Sequence, residues 1–292
     1  MKKEYNPTFL KWAGGKGRLL KQLDNYLPPK FNNYFEPFLG GGSFLFNILK
    51  NNPRTKVIAA DINKELVSTY NTVKNNPLIL IKTLEKHKKN YSKSEKEYFY
   101  KIRENFPSKD LTDIELAARL IFLNKTCFNG MYRVNSKNQF NVPHGRYTNP
   151  KIFEKNRLNL ASSLLKNCEI IHNDFEISTK NAKKGDFIYF DPPYDPLKKG
   201  KSFVGYAKEL FNELDQMRLA ELFKKLTEKG CFCMLSNNNT QLINKIYEGN
   251  GVFINHILAS RSINSNPLNR GKIKEVVITN YPPLNLNRFA SK

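Results

Sequence analysis

Short apolar runs that end on glycine, aspartate or proline alternate with stretches of helical periodicity in two parts of the chain, and a longer basic stretch without that alternation separates them. Asn33–Phe38 reads as a strand running into Gly40, Gly41 and Gly42, after which Phe44, Leu45, Ile48 and Leu49 recur at helical spacing. Thr55–Ala60 is a second strand that ends at Asp61, and Glu65, Leu66 and Tyr70 open another helix, so this part is a βαβ unit. From about residue 64 to 160 the pattern is helical and Lys-rich and then irregular, with Asn124–Tyr147 reading as a loop and hairpin. Strands resume at Cys168–His172 and Asp186–Phe190, the latter stopped by Pro192 and Pro193. Asn212–Lys229 carries Leu214, Met217, Leu222, Phe223 and Leu226 on one helical face, with Gly230 as its stop. Cys231–Leu235, Val252–Leu258 and Glu275–Asn280 complete a sheet of about seven strands. The expectation is an α/β domain of Rossmann-like type built from 1–63 and 164–292, with a mainly helical insertion carrying a β-hairpin at 64–163.

Composition narrows the function. Among 292 residues, 48 Lys and Arg stand against 26 Asp and Glu, a formal charge of +22 that calls for a polyanionic partner, nucleic acid or an anionic membrane surface. No apolar run approaches the roughly 18 residues that span a bilayer, and the basic residues are spread along the chain, which favours nucleic acid. The N-terminus lacks the apolar stretch of a secretory signal, so the cytoplasm is the expected compartment. Cys127, Cys168, Cys231 and Cys233 form no CxxC pair and have no histidine at zinc spacing, and they are expected to be reduced packing residues with no metal bound.

Two constellations carry chemistry. The glycine turn after Phe38 and Leu39, with Asp61 placed 21 residues beyond Gly40, suits an adenosine moiety, because glycines admit a ligand to the backbone and an acid at the next strand end can accept ribose hydroxyls. Leu45 stands where a dinucleotide fingerprint would have its third glycine, which weakens a nicotinamide-dependent oxidoreductase reading. The second constellation, Asp191-Pro192-Pro193-Tyr194 after the strand FIYF, is more specific. Two prolines stiffen a turn at the ligand edge of the sheet, where a carboxylate and a backbone carbonyl can accept both hydrogens of an exocyclic amine while Tyr194 stacks on its ring.

Lys11-Trp12-Ala13-Gly14-Gly15-Lys16, the Pro37–Ser43 segment PFLGGGS and DPPY, in that order, resemble the Dam-type DNA adenine-N6 methyltransferases of the α group. The resemblance extends through Phe128-Asn129-Gly130, Arg133, the Phe140–Pro143 and Gly145–Tyr147 segments and the Arg261–Asn266 run followed by Arg270. It implies S-adenosylmethionine at Trp12, Lys16, Phe38, Gly40, Asp61, Asp174, Phe175 and Asp191, with Asp191, Pro192 and Tyr194 as the catalytic turn. It also implies that double-stranded DNA is the substrate, that 64–163 is the target-recognition domain and that GATC is the site. An adenine would be flipped out of the duplex, with Phe128 as the wedge, Arg133 on guanine, Asn129 and Pro143 against neighbouring bases and Arg270 on phosphate. Lys198, Lys199, Lys201, Arg261, Lys272 and Lys274 are further phosphate candidates, and Pro196–Tyr206 reads as a lid. His144 departs from the large apolar or aromatic residue expected at its position. A cognate restriction endonuclease could share the site, and a monomer could suffice on a palindrome. Methylation of RNA adenine or of a protein glutamine, and a catalytically silent DNA-binding protein of the same fold, are the alternatives; a glutamine methylase would more naturally carry Asn ahead of Pro-Pro-Tyr.

Overall fold

Four consecutive large side chains, Phe187-Ile188-Tyr189-Phe190, are all buried, as a strand covered on both faces of a parallel sheet must be. This is β4 of a computed structural model that describes residues 6–104, 111–197, 211–260 and 272–283. The other strands are β1 (Tyr34–Glu36), β2 (Val57–Asp61), β3 (Cys168–His172), β5 (Phe232–Asn238), β6 (Phe253–Ser260) and β7 (Lys272–Thr279), and the seven form one sheet in the order β3-β2-β1-β4-β5-β7-β6. β1 pairs in parallel with β2 and β4, and β4 in parallel with β5, while β7 runs antiparallel to both β5 and β6. The expected strands are therefore present, with ends shifted by a few residues.

The chain forms two compact units. One comprises Arg18–Phe38, Thr55–Ala60 and Asn173–Lys292. Its core joins Phe35 of β1, Ile188 and Phe190 of β4, Cys233 and Leu235 of β5, and Val276 and Ile278 of β7 to the helix Glu213–Glu228. Asn212 caps that helix through the Leu214 and Asp215 amides, and Asp215 returns a bond to the Asn212 amide. The buried face differs from the expected one. Gln216, Leu219, Phe223 and Leu226 point inward, whereas Leu214 is 74% and Met217 40% exposed. The apolar pattern permitted both readings, and the inward one places a polar amide in the core.

The other unit comprises Met1–Gly17, Leu39–Arg54 and Asp61–His172. Helices Lys64–Asn75, Pro77–Tyr91 and Asp113–Thr126 pack on one another, and the last is apolar nearly all round, with Ala117, Ala118, Leu120, Ile121, Phe122 and Leu123 buried. Each such Leu, Ile or Phe contributes about 1.5–3 kcal/mol on removal from water. Asn124–Thr126, expected as loop, is the last part of this helix; the segment beyond it is a hairpin held by single bridges, Cys127 to His144 and Val134 to Phe140, rather than by a continuous ladder. All four cysteines are buried free thiols, and burial pushes Cys127 and Cys231 up to about 11, so neither is a thiolate at neutral pH. Among the described residues no helix is long and apolar enough to cross a membrane.

His87 sits in this bundle, stacked on Phe122 at 5.1 Å with Nδ1 2.9 Å from the Tyr98 hydroxyl. Burial lowers its pKa from 6.5 to about 4 against a smaller opposing effect of Glu115. The folded state thus binds its proton less tightly than the unfolded chain, and the stability that follows is present above pH 6.5 and lost as pH falls toward 4. We expect a loss of about 3 kcal/mol across that window in urea unfolding, and a shallower acid limb in His87→Phe. An unchanged limb would assign the acid sensitivity to other groups.

Candidate active site

Parallel pairing lines up the carboxyl ends of three strands. Tyr34 stands opposite both Val57 and Phe187, and Phe35 opposite Ile58 and Ile188. Carried forward by the β1–β4 offset, Phe38 comes level with Asp191 just beyond β4. These ends are where an open α/β sheet accepts a ligand.

In the unit that contains the glycine turn, Asp61 holds the turn directly. Its Oδ2 accepts the Gly40 amide at 2.9 Å and its Oδ1 the Asn63 amide at 2.9 Å. Burial raises the Asp61 pKa, while those two amides and nearby His172 oppose the rise. Trp12 lies on the turn: a Cβ at Gly40 would meet its Cδ1 at 3.0 Å, and one at Gly41 its Cβ at 3.0 Å. Gly42 adopts φ +65° and has no room for a Cβ, which would come 2.5 Å from the Tyr70 hydroxyl. The other edge of Trp12 is set by Tyr132, stacked at 5.1 Å. Tyr132 donates to Glu65 Oε2 at 3.0 Å, and Glu65 Oε1 pairs at 3.2 Å with Arg119, which is almost fully buried. Lys16 is buried with its Nζ on the Gly14 carbonyl at 2.7 Å.

In the sheet unit, Phe38 stacks on Phe175 with centroids 5.4 Å apart. Asp174 caps the short helix Phe175–Thr179 through the Glu176 amide and pairs with Arg218 at 2.5 Å. The Arg218 guanidinium lies 4.4 Å over the Phe175 ring. Beyond β4, partly buried Asp191 opens the proline turn, and Tyr194 donates to Glu275 Oε2 at 3.1 Å. Tyr34 donates to buried Glu36 at 2.5 Å, and Tyr189 bonds Ser236 at 2.9 Å. Burial is the main reason that all three tyrosines have raised pKa values; Glu36 adds most for Tyr34, and Asp191 for Tyr189 and Tyr194. They remain neutral beside the carboxylate throughout the physiological range.

The hairpin presents Phe128, 49% exposed, beside exposed Asn129 and Pro143. The Phe128 amide donates to the Pro143 carbonyl at 2.8 Å, and the Asn129 amide to the Tyr147 hydroxyl at 2.8 Å. Arg133 is held by Asn141, with Nε on Oδ1 at 2.6 Å and Nη2 on the backbone carbonyl at 3.3 Å. His144 turns toward the helices, 2.7 Å from the Tyr91 hydroxyl and 5.2 Å from the Phe99 ring, so it does the packing work expected of a larger apolar residue. Arg270, Arg261, Lys198, Lys199, Lys201 and most of the Pro196–Tyr206 segment lie outside the described residues, as does the side chain of Lys272; Lys274 is exposed on β7.

Several residues were not singled out from the sequence. Asn124, fully buried, accepts the Lys11 amide and donates to the Lys11 and Gly130 carbonyls, tying the Trp12 segment to the hairpin's base. Arg218 was hidden among ordinary surface charges. Gln216 lies off the helical face that the apolar pattern predicts, and a glutamine in line with Leu219, Phe223 and Leu226 is the available signal.

The seven-stranded sheet thus carries a glycine turn bonded to an acid at the next strand end and a proline turn after its central strand. The family model for D12 class N6 adenine-specific DNA methyltransferases matches residues 12–263. The chain is 43% identical over 286 residues to the type II methyltransferase M.MjaIII of Methanocaldococcus jannaschii, covering 94% of this chain and 98% of that protein. It is 42% identical to the type II methyltransferase M1.LlaDCHI of Lactococcus lactis over 94% of this chain and 95% of that one, and 34% identical to the DNA adenine methylase of Haemophilus influenzae over 92% of each. The chain therefore belongs to the D12 class of N6 adenine-specific DNA methyltransferases.

The glycine turn yields a direct test. Gly42→Ala forces an L residue into the left-handed region and against the Tyr70 hydroxyl, and we expect it to lose about 2 kcal/mol or more in urea unfolding. Combining it with Tyr70→Phe, which removes the clashing oxygen, recovers part of the loss. Strict additivity of the two changes would show that they do not meet.

Proposed function

We propose that this enzyme transfers the methyl group of S-adenosylmethionine to N6 of an adenine turned out of double-stranded DNA, within GATC. The observation that carries this reading is the Asp191-Pro192-Pro193-Tyr194 turn, anchored beyond a fully buried β4 and level with Phe38. The alternatives of an RNA adenine, a protein glutamine or a silent DNA-binding role are less favoured by the family match and by the Asp ahead of the prolines.

The residues present fit S-adenosylmethionine. Gly40 and Gly41 let Trp12 close onto the turn where a Cβ would push it away, Asp61 offers acceptors for vicinal hydroxyls, and Phe38, Phe175 and Asp174 supply an aromatic face and an acceptor suited to a purine. Trp12 shapes the turn, and Lys16 contributes positive charge suited to the methionine carboxylate. When bound, the cofactor supplies an electrophilic methyl on a sulfonium. Asp191 and the Pro192 carbonyl then accept the two hydrogens of the adenine amine, which directs its nitrogen lone pair toward that methyl, and Tyr194 stacks on the base. Pro193 is a poorer acceptor because its carbonyl already takes a bond from Gln216 at 2.9 Å.

Residues 64–163 act as the target-recognition domain, and 1–63 with 164–292 as the catalytic one. Flipping the base costs roughly a few kcal/mol, and exposed Phe128 is shaped to fill the gap it leaves. Asn141 holds the Nε side of Arg133, which favours use of the outer Nη1 and Nη2 edge for bidentate contact to guanine, worth about 1–3 kcal/mol of discrimination. Asn129 and Pro143 contact adjacent bases, and Arg270 a phosphate. The formal charge of +22 suits the DNA backbone, and the proposed setting is the cytoplasm, where the enzyme acts on the nucleoid as a monomer. Relatives named type II methyltransferases favour a restriction and modification setting, with an endonuclease acting on the same site.

The test is transfer of labelled methyl to matched duplexes containing GATC, GTTC, or GATC already N6-methylated. We expect label only in the unmodified GATC duplex; equal label in GTTC would remove the site assignment. Asp191→Ala should abolish transfer while DNA binding persists, and full activity would overturn the mechanism. Arg133→Ala should relax choice at one guanine, by about 1–3 kcal/mol in kcat/KM, whereas a uniform loss on all sequences would make it a phosphate contact.

A further inference from the structure

Two adjacent prolines give the catalytic turn rigidity of ring but remove two backbone N–H groups, so residues 192 and 193 cannot donate to anything that would anchor them. What fixes the turn is a pair of buried side-chain amides. Gln216, on the inward face of the helix Glu213–Glu228, is 2% exposed and donates Nε2 to the Pro193 carbonyl at 2.9 Å. Its Oε1 accepts Nδ2 of Asn237, fully buried on β5, at 3.1 Å. Asn237 Oδ1 accepts the Asp195 amide at 3.0 Å and the Asn238 amide at 2.8 Å. Asn238 Nδ2 then reaches the Asp195 carbonyl at 2.7 Å.

The chain of bonds has one workable orientation. Pro193 offers only an acceptor, so the nitrogen of Gln216 must face it, and the Gln216 oxygen must face Asn237. The backbone amides of Asp195 and Asn238 are only donors, so the Asn237 oxygen must face them and its nitrogen must face Gln216. Both amides are thereby committed, and neither can rotate without leaving a buried group unmet. The network grips the turn at Pro193 and at Asp195, on either side of Tyr194 and next to the carbonyl of Pro192.

We propose that Gln216 and Asn237 are positioning residues for methyl transfer: their buried amide pair holds the turn so that the Asp191 carboxylate and the Pro192 carbonyl meet both hydrogens of the target amine. The proposal rests on the adenine-methylating function above. Neither residue touches the substrate. Their effect falls on the chemical step, because displacement of a reacting group by about 1 Å can lower a rate by about 100-fold while binding surfaces stay intact.

The experiment measures single-turnover methyl transfer from S-adenosylmethionine to a GATC duplex for wild type, Gln216→Glu and Asn237→Asp, alongside DNA affinity, S-adenosylhomocysteine affinity from Trp12 fluorescence, and unfolding midpoints. In Gln216→Glu the ionised carboxylate opposes the Pro193 carbonyl, whereas its protonated form can donate to it. We expect the transfer rate to fall about 10- to 100-fold at pH 8, with both affinities within about twofold of wild type. The deficit relative to wild type should shrink as pH is lowered toward 5, a recovery specific to a restored donor. Rates equal to wild type at every pH in a folded variant would overturn the proposal, as would a loss matched by equal losses of DNA and cofactor affinity. Should Gln216→Glu fail to fold, the same comparison on Asn237→Asp decides, with a selective rate loss supporting the proposal and an unchanged rate overturning it. A wild-type enzyme that leaves adenine unmethylated would instead refute the function on which the proposal rests, so the two failures are distinguishable.

Discussion

The parallel register of β1 with β2 and β4 is the constraint on which the rest depends. Because side chains and strand ends advance together, pairing Tyr34 with Phe187 sets Phe38 and Asp191 at one level. A slip of one residue would turn every buried side chain of these strands to the opposite face. The Phe187–Phe190 side chains are buried in this register, so the pairing that places them in the core also sets where the Asp191 carboxylate stands. The position of the Asp191 turn is thus set by strand pairing first and by local hydrogen bonds second.

Those local bonds divide the work by chemical type. Ring stacking and missing Cβ atoms shape the glycine turn, with Trp12 placed by Tyr132 and, through it, by the Glu65–Arg119 pair. The proline turn depends on amides, which carry no charge to compete with Asp191 and titrate at no pH the enzyme meets. Tyr189 and Tyr194 lie within electrostatic reach of Asp191, and their raised pKa values keep them protonated beside that carboxylate.

Much of this was legible in the sequence because it is written in residues with few alternatives. Glycines at 40 and 42, Asp61 and the paired prolines each have a narrow range of backbone roles, and the strands around them were identifiable from apolar runs. The supporting residues were less visible for a physical reason: Gln216, Asn237, Asn124 and Arg218 act through partners 6 to 113 positions away, and no local pattern reports such a bond. The helix Glu213–Glu228 shows the limit most clearly. Leu214 and Met217 suggest an apolar face, yet the helix turns Gln216 inward, where it bonds the Pro193 carbonyl, and leaves Leu214 in solvent. His144 shows the reverse, a polar residue doing aromatic packing against Phe99 and Tyr91.

The central claim is that the carboxylate and carbonyl of the proline turn select the exocyclic amine of adenine. Nucleoside analysis by mass spectrometry of DNA methylated to completion by the enzyme tests it most directly. N6-methyldeoxyadenosine is expected as the sole modified nucleoside; N4-methyldeoxycytidine, or a methyl on ring carbon, would overturn the assignment of the turn to adenine.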